Sequence, residues 1–469
     1  MTKDQFLEAY KHRSYLHFDV PFASPAAAWD FVCDFKEGIL YGSPPRKHGF
    51  HPFIGFTLST LKIQREDKPG IPRRLRRIIY KNKLRPIKIA SHKDAAIYSY
   101  YGKTLSDLYE TRLADLNLTE VPTAFRKIPG GKSNIDHAKE IFDFVEQNRP
   151  CVALAFDVEK FFDTLSHRKL RAAWADVLGC DRLPPDHYRV YRSLTRFAWV
   201  SRKAAYDEFG ISEHNPKLRE PNPRRSRICS PEEFRQHIRE AGLIQHNPES
   251  DKGIPQGSPM SAVLSNIYML PVDRIMHTWA TSLGGLYRRY CDDIIVVIPP
   301  EHTEATEHLM HALIGHECLR LNTGKTERVV FGGPIGSVAA EDKKLQYLGF
   351  TFDGGTIRLR QSSLDRYYGK MRNGVNQAVK CQGKQIRKAG YQRLKTRKLL
   401  LKYSHQVRRQ RGDKRLLLED RRKYLSKRSN FISYGLRASK KLDSSAIRNQ
   451  IRAHWGKLWK QIRSKEIQP

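Results

Sequence analysis

Two short apolar segments of the sequence are bounded by aspartate, and this combination limits the fold more than any other feature. Tyr290-Cys291-Asp292-Asp293 leads directly into the apolar run Ile294–Ile298, and Asp157 closes a second apolar run that begins at Val152. Apolar runs of this length are typical of buried β-strands. Burying a carboxylate is unfavourable unless a cation or hydrogen bonds compensate it. Each run therefore predicts a buried strand with a compensated carboxylate at its end.

Carboxylates at two strand ends suit divalent metal ions. Hard oxygen ligands favour Mg²⁺, and two ions about 3.5–4 Å apart can hold the attacking and leaving oxygens of a phosphoryl transfer. We therefore expect Asp157, Asp292 and Asp293 to bind two Mg²⁺ ions, with Mn²⁺ able to substitute, and we include Val158 in the predicted metal site. The alternative is that these aspartates are helix N-caps or ordinary surface residues.

Five segments in a fixed order resemble the palm motifs of reverse transcriptases. They are Phe156–His167, Gly253–Ser261 with Asn266 beyond it, Tyr290–Asp293, Leu321–Glu327 and Tyr347–Phe350. Five ordered matches over roughly 200 residues are far more specific than one motif. Arg85-Pro86-Ile87 and Ala124-Phe125-Arg126 extend the resemblance upstream. It implies an α/β (α+β) right-hand polymerase fold, with fingers, palm and a helical thumb, and the activity of an RNA-directed DNA polymerase.

The resemblance also implies roles for individual residues. Asp157, Asp292 and Asp293 would be catalytic, and Lys325 would protonate or neutralise the departing pyrophosphate. The nucleotide contacts would be Arg85, Phe162, Gln256 and Gly257, and the primer grip would be Tyr347, Leu348 and Gly349, with Gly354-Gly355 as the turn of its hairpin. Phe162 would fill the volume of a ribose 2′-hydroxyl, which favours deoxynucleotides. The alternative for Gln256 and Gly257 is an ordinary turn.

A formal net charge of +35 points to a polyanionic partner, and nucleic acid is the obvious one. Residues 381–469 contain 27 Lys and Arg against 5 Asp and Glu, which is +22 of that excess. Apolar residues at helical spacing, among them Trp455 and Trp459, favour a folded basic helical region over a solvated tail. The predicted nucleic-acid contacts are Arg224, Arg225, Arg408, Arg409, Arg421 and Arg422.

The sequence predicts three regions. Residues 1–70 form an N-terminal extension, expected to be a packed but irregular lead-in. Residues 71–350 form the fingers and palm, with an insertion at about 168–252 that contains a basic loop from Ser201 to Cys229. Residues 351–469 form the basic helical thumb and RNA-binding region. Within the second region Leu84–Ile89 is predicted as a strand, and Ser133 or Asn134 as the cap of a helix over Ile135–Val145.

Seven scattered cysteines without a Cys-x-x-Cys pair argue against a disulfide framework or a structural zinc. The N-terminus is polar, and no apolar run approaches the ~20 residues of a membrane span. We therefore expect a soluble, cytoplasmic protein without a membrane partner. Its oligomeric state is not readable from the sequence.

Within reverse transcriptases, the chain most resembles the bacterial "unknown group". It has neither an HNH nor an RNase H signature, and no Val-Thr-Gly motif follows the fifth palm motif. The resemblance implies dNTP substrates, a DNA product, a structured non-coding RNA template and a role in anti-phage defence. Three alternatives stay open: a group II intron-type maturase, template-independent or protein-primed synthesis, and an RNA-binding scaffold without activity.

Overall fold

The computed structural model describes residues 1–40, 48–66, 75, 77–128, 130–213, 225–340, 343–389, 396–404 and 430–465 of the 469-residue chain. The chain divides into two compact units built from alternating segments. Unit 1 contains Met1–Ser59, Leu84–Ile128 and Leu154–Glu327, and unit 2 contains Thr60–Lys83, Pro129–Ala153 and Arg328–Pro469. The polypeptide therefore passes between the units several times.

Eleven strands of the described residues form three sheets. They are β1 (Phe53–Arg65), β2 (Ile78–Ile89), β3 (Cys151–Asp157), β4 (Ala198–Ser201), β5 (Ile244–His246), β6 (Leu286–Tyr290), β7 (Asp293–Ile298), β8 (Glu327–Phe331), β9 (Leu345–Tyr347), β10 (Phe350–Phe352) and β11 (Ile357–Leu359). The strand orders are β2-β1-β4-β5, β6-β7-β3-β8 and β11-β10-β9. β1 and β4 pair in parallel, whereas β6 and β7 form an antiparallel hairpin in which Tyr290 faces Asp293.

Helices supply most of the remaining structure of unit 1. Its α-helices are Lys3–Ala9, Pro25–Leu40, His92–Asp115, Phe161–Thr164, His167–Leu178, Pro185–Thr195, Arg202–Glu208, Pro231–Glu233, Ser261–Tyr268, Leu270–Ser282 and Thr303–His316, with a π-helix at Phe234–Glu240 and 3₁₀ turns at Pro300–His302 and Thr323–Lys325. Seven of the eight residues of Ser261–Tyr268 are buried, so this helix lies in the core rather than at the surface.

Unit 2 combines a three-stranded antiparallel sheet with amphipathic helices. Its helices are Asn134–Gln147, Gln361–Ala389, Arg397–Tyr403, Phe431–Lys441, Ser445–Arg452 and His454–Arg463. The last helix buries Leu458 and Ile462, which lie four residues apart on one face. Lys460, which lies between them, is exposed, as the amphipathic spacing predicts.

Several local predictions are confirmed. The predicted mixed α/β class is observed, and the strands expected at Val152–Phe156, Ile294–Ile298 and Leu84–Ile89 lie within β3, β7 and β2. Ser133 is the N-cap of helix Asn134–Gln147, and it shares a reciprocal capping box with Asp136. The right-hand arrangement of fingers, palm and thumb stays a prediction.

Two local predictions are wrong. Residues 1–70 are not irregular, because they contain two helices and β1. The segment from Ser201 to Cys229 is not a plain loop either, since Arg202–Glu208 is helical; residues 214–224 lie outside the described structure. The prolines that suggested loop structure, Pro216, Pro221 and Pro223, all lie beyond this helix, which buries Ala205 and Tyr206.

Among the described residues, no helix is both long enough and apolar enough to cross a lipid bilayer.

Candidate active site

The two aspartate-bounded strands meet at their ends in unit 1. Asp157 is the last residue of β3, and the backbone N–H of Val158 donates to the carbonyl oxygen of Asp292 at 3.2 Å. This bond places the Asp157 and Asp292 positions at one edge of the sheet. The predicted association of the first and third motifs is therefore present in the structure.

Asp292 lies in the tight turn between β6 and β7. Cys291, its predecessor, has a φ of 60°, a left-handed conformation that is unusual for a residue with a side chain. Burial, followed by the neighbouring Asp292 carboxylate, raises the pKa of the Cys291 thiol to about 12. The thiol is thus protonated at neutral pH. Asp293 begins β7 with an exposed side chain.

Lys325 forms an ion pair with the Asp157 carboxylate. The Asp157 side chain is only 17% exposed, whereas Lys325 is 45% exposed and reaches it from a 3₁₀ turn. The same segment is tied to β3 by the N–H of Asn322, which donates to the Asp157 carbonyl oxygen at 2.8 Å. Sequence reasoning predicted both residues in the site but not their contact. An ammonium group here provides the cation that a half-buried carboxylate requires.

The first and second motifs are joined by backbone hydrogen bonds. The N–H of Ile254 donates to the Phe162 carbonyl oxygen at 2.9 Å, and the N–H of Gly253 donates to Leu165 at 2.8 Å. The buried His167 ring adds a contact from Nε2 to the Gly253 carbonyl oxygen at 2.8 Å. Phe162, which is half-buried, is therefore held beside Gly253–Ser261, the glycine-rich segment with which it was predicted to share a nucleotide.

The glycine-rich segment lies close against β2. The N–H of Lys88 donates to the Gln256 carbonyl oxygen at 2.8 Å. Gly257 has a φ of +115°, and a Cβ there would lie 2.9 Å from the Lys88 carbonyl oxygen. Only glycine combines this backbone angle with so close an approach. Arg85 lies on the same strand with a half-buried side chain.

A cavity of about 360 Å³ lies in unit 1 beside this contact. Its lining combines aromatic rings with cations: Gly55, Phe56, Thr57, Pro86, Ile87, Lys88, Trp199, Ser201, Arg202, Lys203 and Glu213. The Arg202 guanidinium lies 4.1 Å from the centre of the Phe56 ring, and Lys88 Nζ lies 5.4 Å from that of Trp199. Burial lowers the pKa of Lys88, and the Asp163 carboxylate partly offsets this decrease. Rings with cations beside them suit an unpaired nucleobase and its phosphate.

Sequence reasoning missed the residues of this cavity. Trp199 and Arg202 were assigned to or near an inserted loop, and Lys88 is only one of nine basic residues from Arg73 to Lys93. The close spacing of tryptophan and basic residues in Trp199–Lys203 was the available signal. The parallel pairing of β1 with β4, which brings Phe56 to them, is a long-range contact that no local pattern encodes.

The predicted primer-grip residues form a hairpin within unit 2. Tyr347 ends β9, and Leu348 and Gly349 make the turn to β10 with φ values of 45° and 93°. Asn134 Nδ2 donates to the Leu348 carbonyl oxygen at 3.1 Å, and the N–H of Arg360 donates to Gly349 at 3.0 Å. Gly354-Gly355 lies in the following turn, between β10 and β11, so its prediction as the turn of this hairpin is wrong. The hairpin is present, and its role stays a prediction.

The predicted basic contacts are described only in part. Arg225 is half-buried and donates to the Ile228 carbonyl oxygen at 3.1 Å, so its guanidinium supports its own loop. Arg224, Arg408, Arg409, Arg421 and Arg422 lie outside the described residues.

The donor chemistry of the site fits magnesium, although no protein cage is formed. Within the described ranges, no group of three or more His, Cys, Asp or Glu side chains is arranged around one ion. Magnesium is commonly held by one or two carboxylates completed by water and substrate phosphates, so Asp157 and Asp292 suffice as its protein ligands. Val158 carries an apolar side chain that is 2% exposed, which leaves its backbone carbonyl as its only available donor. The Lys325 ammonium already shows that a cation fits against Asp157.

Comparison with solved structures finds telomerases. The chain is 11% identical to apo telomerase from Candida tropicalis truncated from its C-terminal domain, with a TM-score of 0.38, covering 65% of this chain and 57% of that one. The chain is 12% identical to apo telomerase from C. tropicalis, with a TM-score of 0.37, and the match covers 79% of this chain and 60% of that one. It is 9% identical to telomerase from Candida albicans in complex with a TWJ fragment of telomeric RNA, with a TM-score of 0.38, and the match covers 94% of this chain and 66% of that one. The chain thus spans about three fifths of the first two structures. No curated protein matches the sequence.

A family comparison covers the central part of the site. Residues 229–352 match the family described as reverse transcriptase (RNA-dependent DNA polymerase). The matched range includes the glycine-rich segment, the aspartate turn, Lys325 and the β9–β10 hairpin, whereas Asp157 and Phe162 precede it. This central segment, about a quarter of the chain, is therefore similar to the reverse transcriptase family.

Proposed function

We propose that this chain copies an RNA template into DNA, using dNTPs and Mg²⁺ bound at Asp157 and Asp292, with Asp293 beside them. The observation that carries the proposal is the junction of the two strands, because it brings two carboxylates to one sheet edge beside a matched reverse transcriptase domain. In the reaction the primer 3′-oxygen forms a bond to the α-phosphorus of the dNTP. The bond from that phosphorus to the bridging oxygen breaks, pyrophosphate leaves, and the 3′-hydroxyl proton passes to solvent.

The protein's own groups position and neutralise the reactants. Metal ions, when bound, would lower the pKa of the 3′-hydroxyl and neutralise developing negative charge. Lys325, at 45% exposure, has room to leave Asp157 and donate to the departing pyrophosphate. The Phe162 ring would exclude a 2′-hydroxyl, and the backbone at Gly257 would approach the nascent base pair. β2, which carries Arg85, is fixed to Gln256 by the 2.8 Å bond from Lys88.

Loss of one carboxylate tests this proposal. We expect Asp292→Ala to lower primer extension on RNA by about 1000-fold or more, since it removes several kcal/mol of transition-state stabilisation. Asp181→Asn is the matched control, because Asp181 is an exposed aspartate of the same unit outside the site. RNA affinity and the unfolding midpoint are measured in parallel. Extension that persists in Asp292→Ala would contradict the assigned role.

The products identify the type of synthesis. DNA complementary to an added or co-purified RNA supports templated copying. Products that match no template favour terminal or protein-primed synthesis, and an intron RNA as the bound species favours a maturase. RNA binding with no incorporation of any dNTP by the wild-type chain would favour a scaffold.

We further propose that the template is a structured non-coding RNA and that the activity serves anti-phage defence. The net charge of +35 supports an extended polyanionic partner, while the defence role rests on the sequence resemblance alone. Cells carrying the locus should resist plating by some phages, and cells with Asp292→Ala and Asp293→Ala should not. Equal plating on both would reject the defence role and leave the polymerase proposal intact.

A further inference from the structure

Arg289 is a fully buried cation that none of the predicted roles uses. It lies on β6, and both it and Asp273 are 0% exposed. Its Nε donates to Asp273 Oδ1 at 2.7 Å and its Nη2 to Asp273 Oδ2 at 2.6 Å, a two-point pairing of guanidinium with carboxylate. The Tyr287 hydroxyl donates to the same carboxylate at 2.9 Å. The pair is thus neutralised, and Arg289 still has Nη1 to place elsewhere.

The remaining nitrogen of Arg289 reaches the turn between β6 and β7, which contains Asp292. Nη1 donates to the carbonyl oxygen of Cys291 at 3.2 Å and to Asn266 Oδ1 at 3.1 Å. Cys291 is the left-handed residue directly before Asp292. A hydrogen bond to its carbonyl fixes the plane of the Cys291–Asp292 peptide, and with it the direction in which the Asp292 side chain leaves the backbone.

The network joins three separate sequence motifs of unit 1. Asn266, from the helix after the glycine-rich segment, donates from Nδ2 to the Ala124 carbonyl oxygen at 2.9 Å. The backbone of Arg289 is held by the same upstream segment, since its carbonyl accepts from the Thr123 N–H at 2.8 Å and hydroxyl at 3.0 Å. The guanidinium is therefore fixed on several sides before it reaches Cys291.

We propose that Arg289 is a positioning residue, which holds the Cys291–Asp292 peptide so that the Asp292 carboxylate faces its metal ion. The inference rests on the proposed function, because it assumes that Asp292 binds metal. Arginine suits the task since one planar group can pair with Asp273 through two nitrogens and serve two further acceptors through the third. A lysine at this position would keep the charge but not the geometry.

Substitutions can separate positioning from stability. Arg289→Lys keeps a cation beside Asp273 and removes the fixed contact with Cys291. Tyr101→Phe is the control: it removes a buried 2.8 Å hydrogen bond to Asp186 in the same unit, away from the turn. Binding of Mn²⁺ alone is measured by calorimetry on the full chain without primer or nucleotide, together with kcat, the KM for dNTP and the unfolding midpoint.

We expect Arg289→Lys to weaken Mn²⁺ binding and to lower kcat by about 10- to 100-fold per folded molecule, since an ångström of misplacement can have such an effect. The KM for dNTP should change little. Tyr101→Phe should lower only the unfolding midpoint. Arg289→Lys that binds Mn²⁺ and extends primers as well as Tyr101→Phe would overturn the proposal.

A milder variant covers the case in which Arg289→Lys does not fold. Asn266→Ala removes one acceptor and loosens the guanidinium without deleting the ion pair, so a smaller loss in the same two measurements is expected. Unchanged Mn²⁺ affinity and kcat in this variant would refute positioning by the network. A wild-type chain that binds Mn²⁺ but extends no primer would refute the proposed function and leave the positioning test standing. A wild-type chain that neither binds Mn²⁺ nor extends a primer would overturn both.

Discussion

Replacing Gly257 by alanine should destabilise the protein more than its backbone angle alone requires. The φ of +115° is unfavourable for any residue with a Cβ, and the new methyl would lie 2.9 Å from the Lys88 carbonyl oxygen and 3.0 Å from Ile87 Cγ2. Ordinary van der Waals contacts of a Cβ are 3.4–4 Å. β2 would have to move by several tenths of an ångström, yet the 2.8 Å bond from Lys88 to Gln256 holds it in place.

Two contributions set the expected magnitude. The left-handed backbone costs an alanine about 1–2 kcal/mol, and forcing an extra methyl into a close contact costs about 1–3 kcal/mol more. Gly257→Ala should therefore lower the free energy of unfolding by about 2–5 kcal/mol. Gly242→Ala is the matched control, since Gly242 has a φ of +69° in the same unit and a Cβ added there would have no atom within 4 Å. It should show only the first contribution.

Urea unfolding of both variants at 25 °C gives the comparison, and primer extension gives its functional counterpart. Displacement of β2 moves Arg85 and Lys88, so the KM for dNTP should rise by about tenfold or more in Gly257→Ala and stay constant in Gly242→Ala. Equal losses of stability in the two variants would show that the close approach to Lys88 has no energetic weight. An unchanged KM for dNTP in folded Gly257→Ala would show that the position of β2 does not affect nucleotide binding.

Three further outcomes follow from the described contacts. His17 is fully buried, and burial lowers its pKa to about 4 from 6.5; because the unfolded chain then binds more protons between these values, acidification from pH 6.5 to 4 should remove about 3 kcal/mol of stability. His17→Gln should show a correspondingly flatter pH dependence in thermal unfolding, and an identical dependence would argue against His17 as the cause. Trp199→Ala should weaken binding of a single-stranded RNA oligonucleotide by about tenfold, measured by fluorescence anisotropy, whereas Trp199→Phe should retain most of it; equal affinity in all three proteins would exclude stacking in the cavity. Phe162→Ala should reduce discrimination against ribonucleotides by about 10- to 100-fold in single-nucleotide incorporation. Unaltered selectivity would show that Phe162 is not the residue that excludes the 2′-hydroxyl.

The sequence was most informative where structure is local. The strands ending at Asp157 and following Asp293 could be predicted because a short, continuous apolar run is itself typical of a strand buried on both faces. The cap at Ser133 is likewise local, since both partners of its capping box lie within four residues. The ordered motifs predicted that Asp157, Asp292 and Lys325 lie close together, and the structure shows this proximity.

Long-range contacts account for what the sequence did not show. The Lys325 side chain contacts Asp157, which lies 168 residues earlier in the sequence. Arg289 pairs with Asp273, and this contact depends on how helix Leu270–Ser282 packs against β6, which no spacing rule specifies. In the sequence, Arg288 and Arg289 resemble an exposed basic pair, yet they are 8% and 0% exposed. The helices before Phe53 were missed because aromatic and proline-rich composition was weighed above tertiary packing, which overrides weak helix propensity.

The alternation of segments between the two units has a consequence for how the chain can be made and divided. Unit 1 contains residues up to Glu327, and unit 2 already includes Thr60–Lys83 and Pro129–Ala153. During synthesis from the N-terminus, neither unit can be completed before roughly two thirds of the polypeptide has left the ribosome. The early segments therefore stay without their packing partners during much of synthesis and need protection from aggregation. For the same reason, no single cut yields two independent halves. A minimal catalytic fragment of this protein would have to be redesigned by rejoining three segments, rather than obtained by truncation.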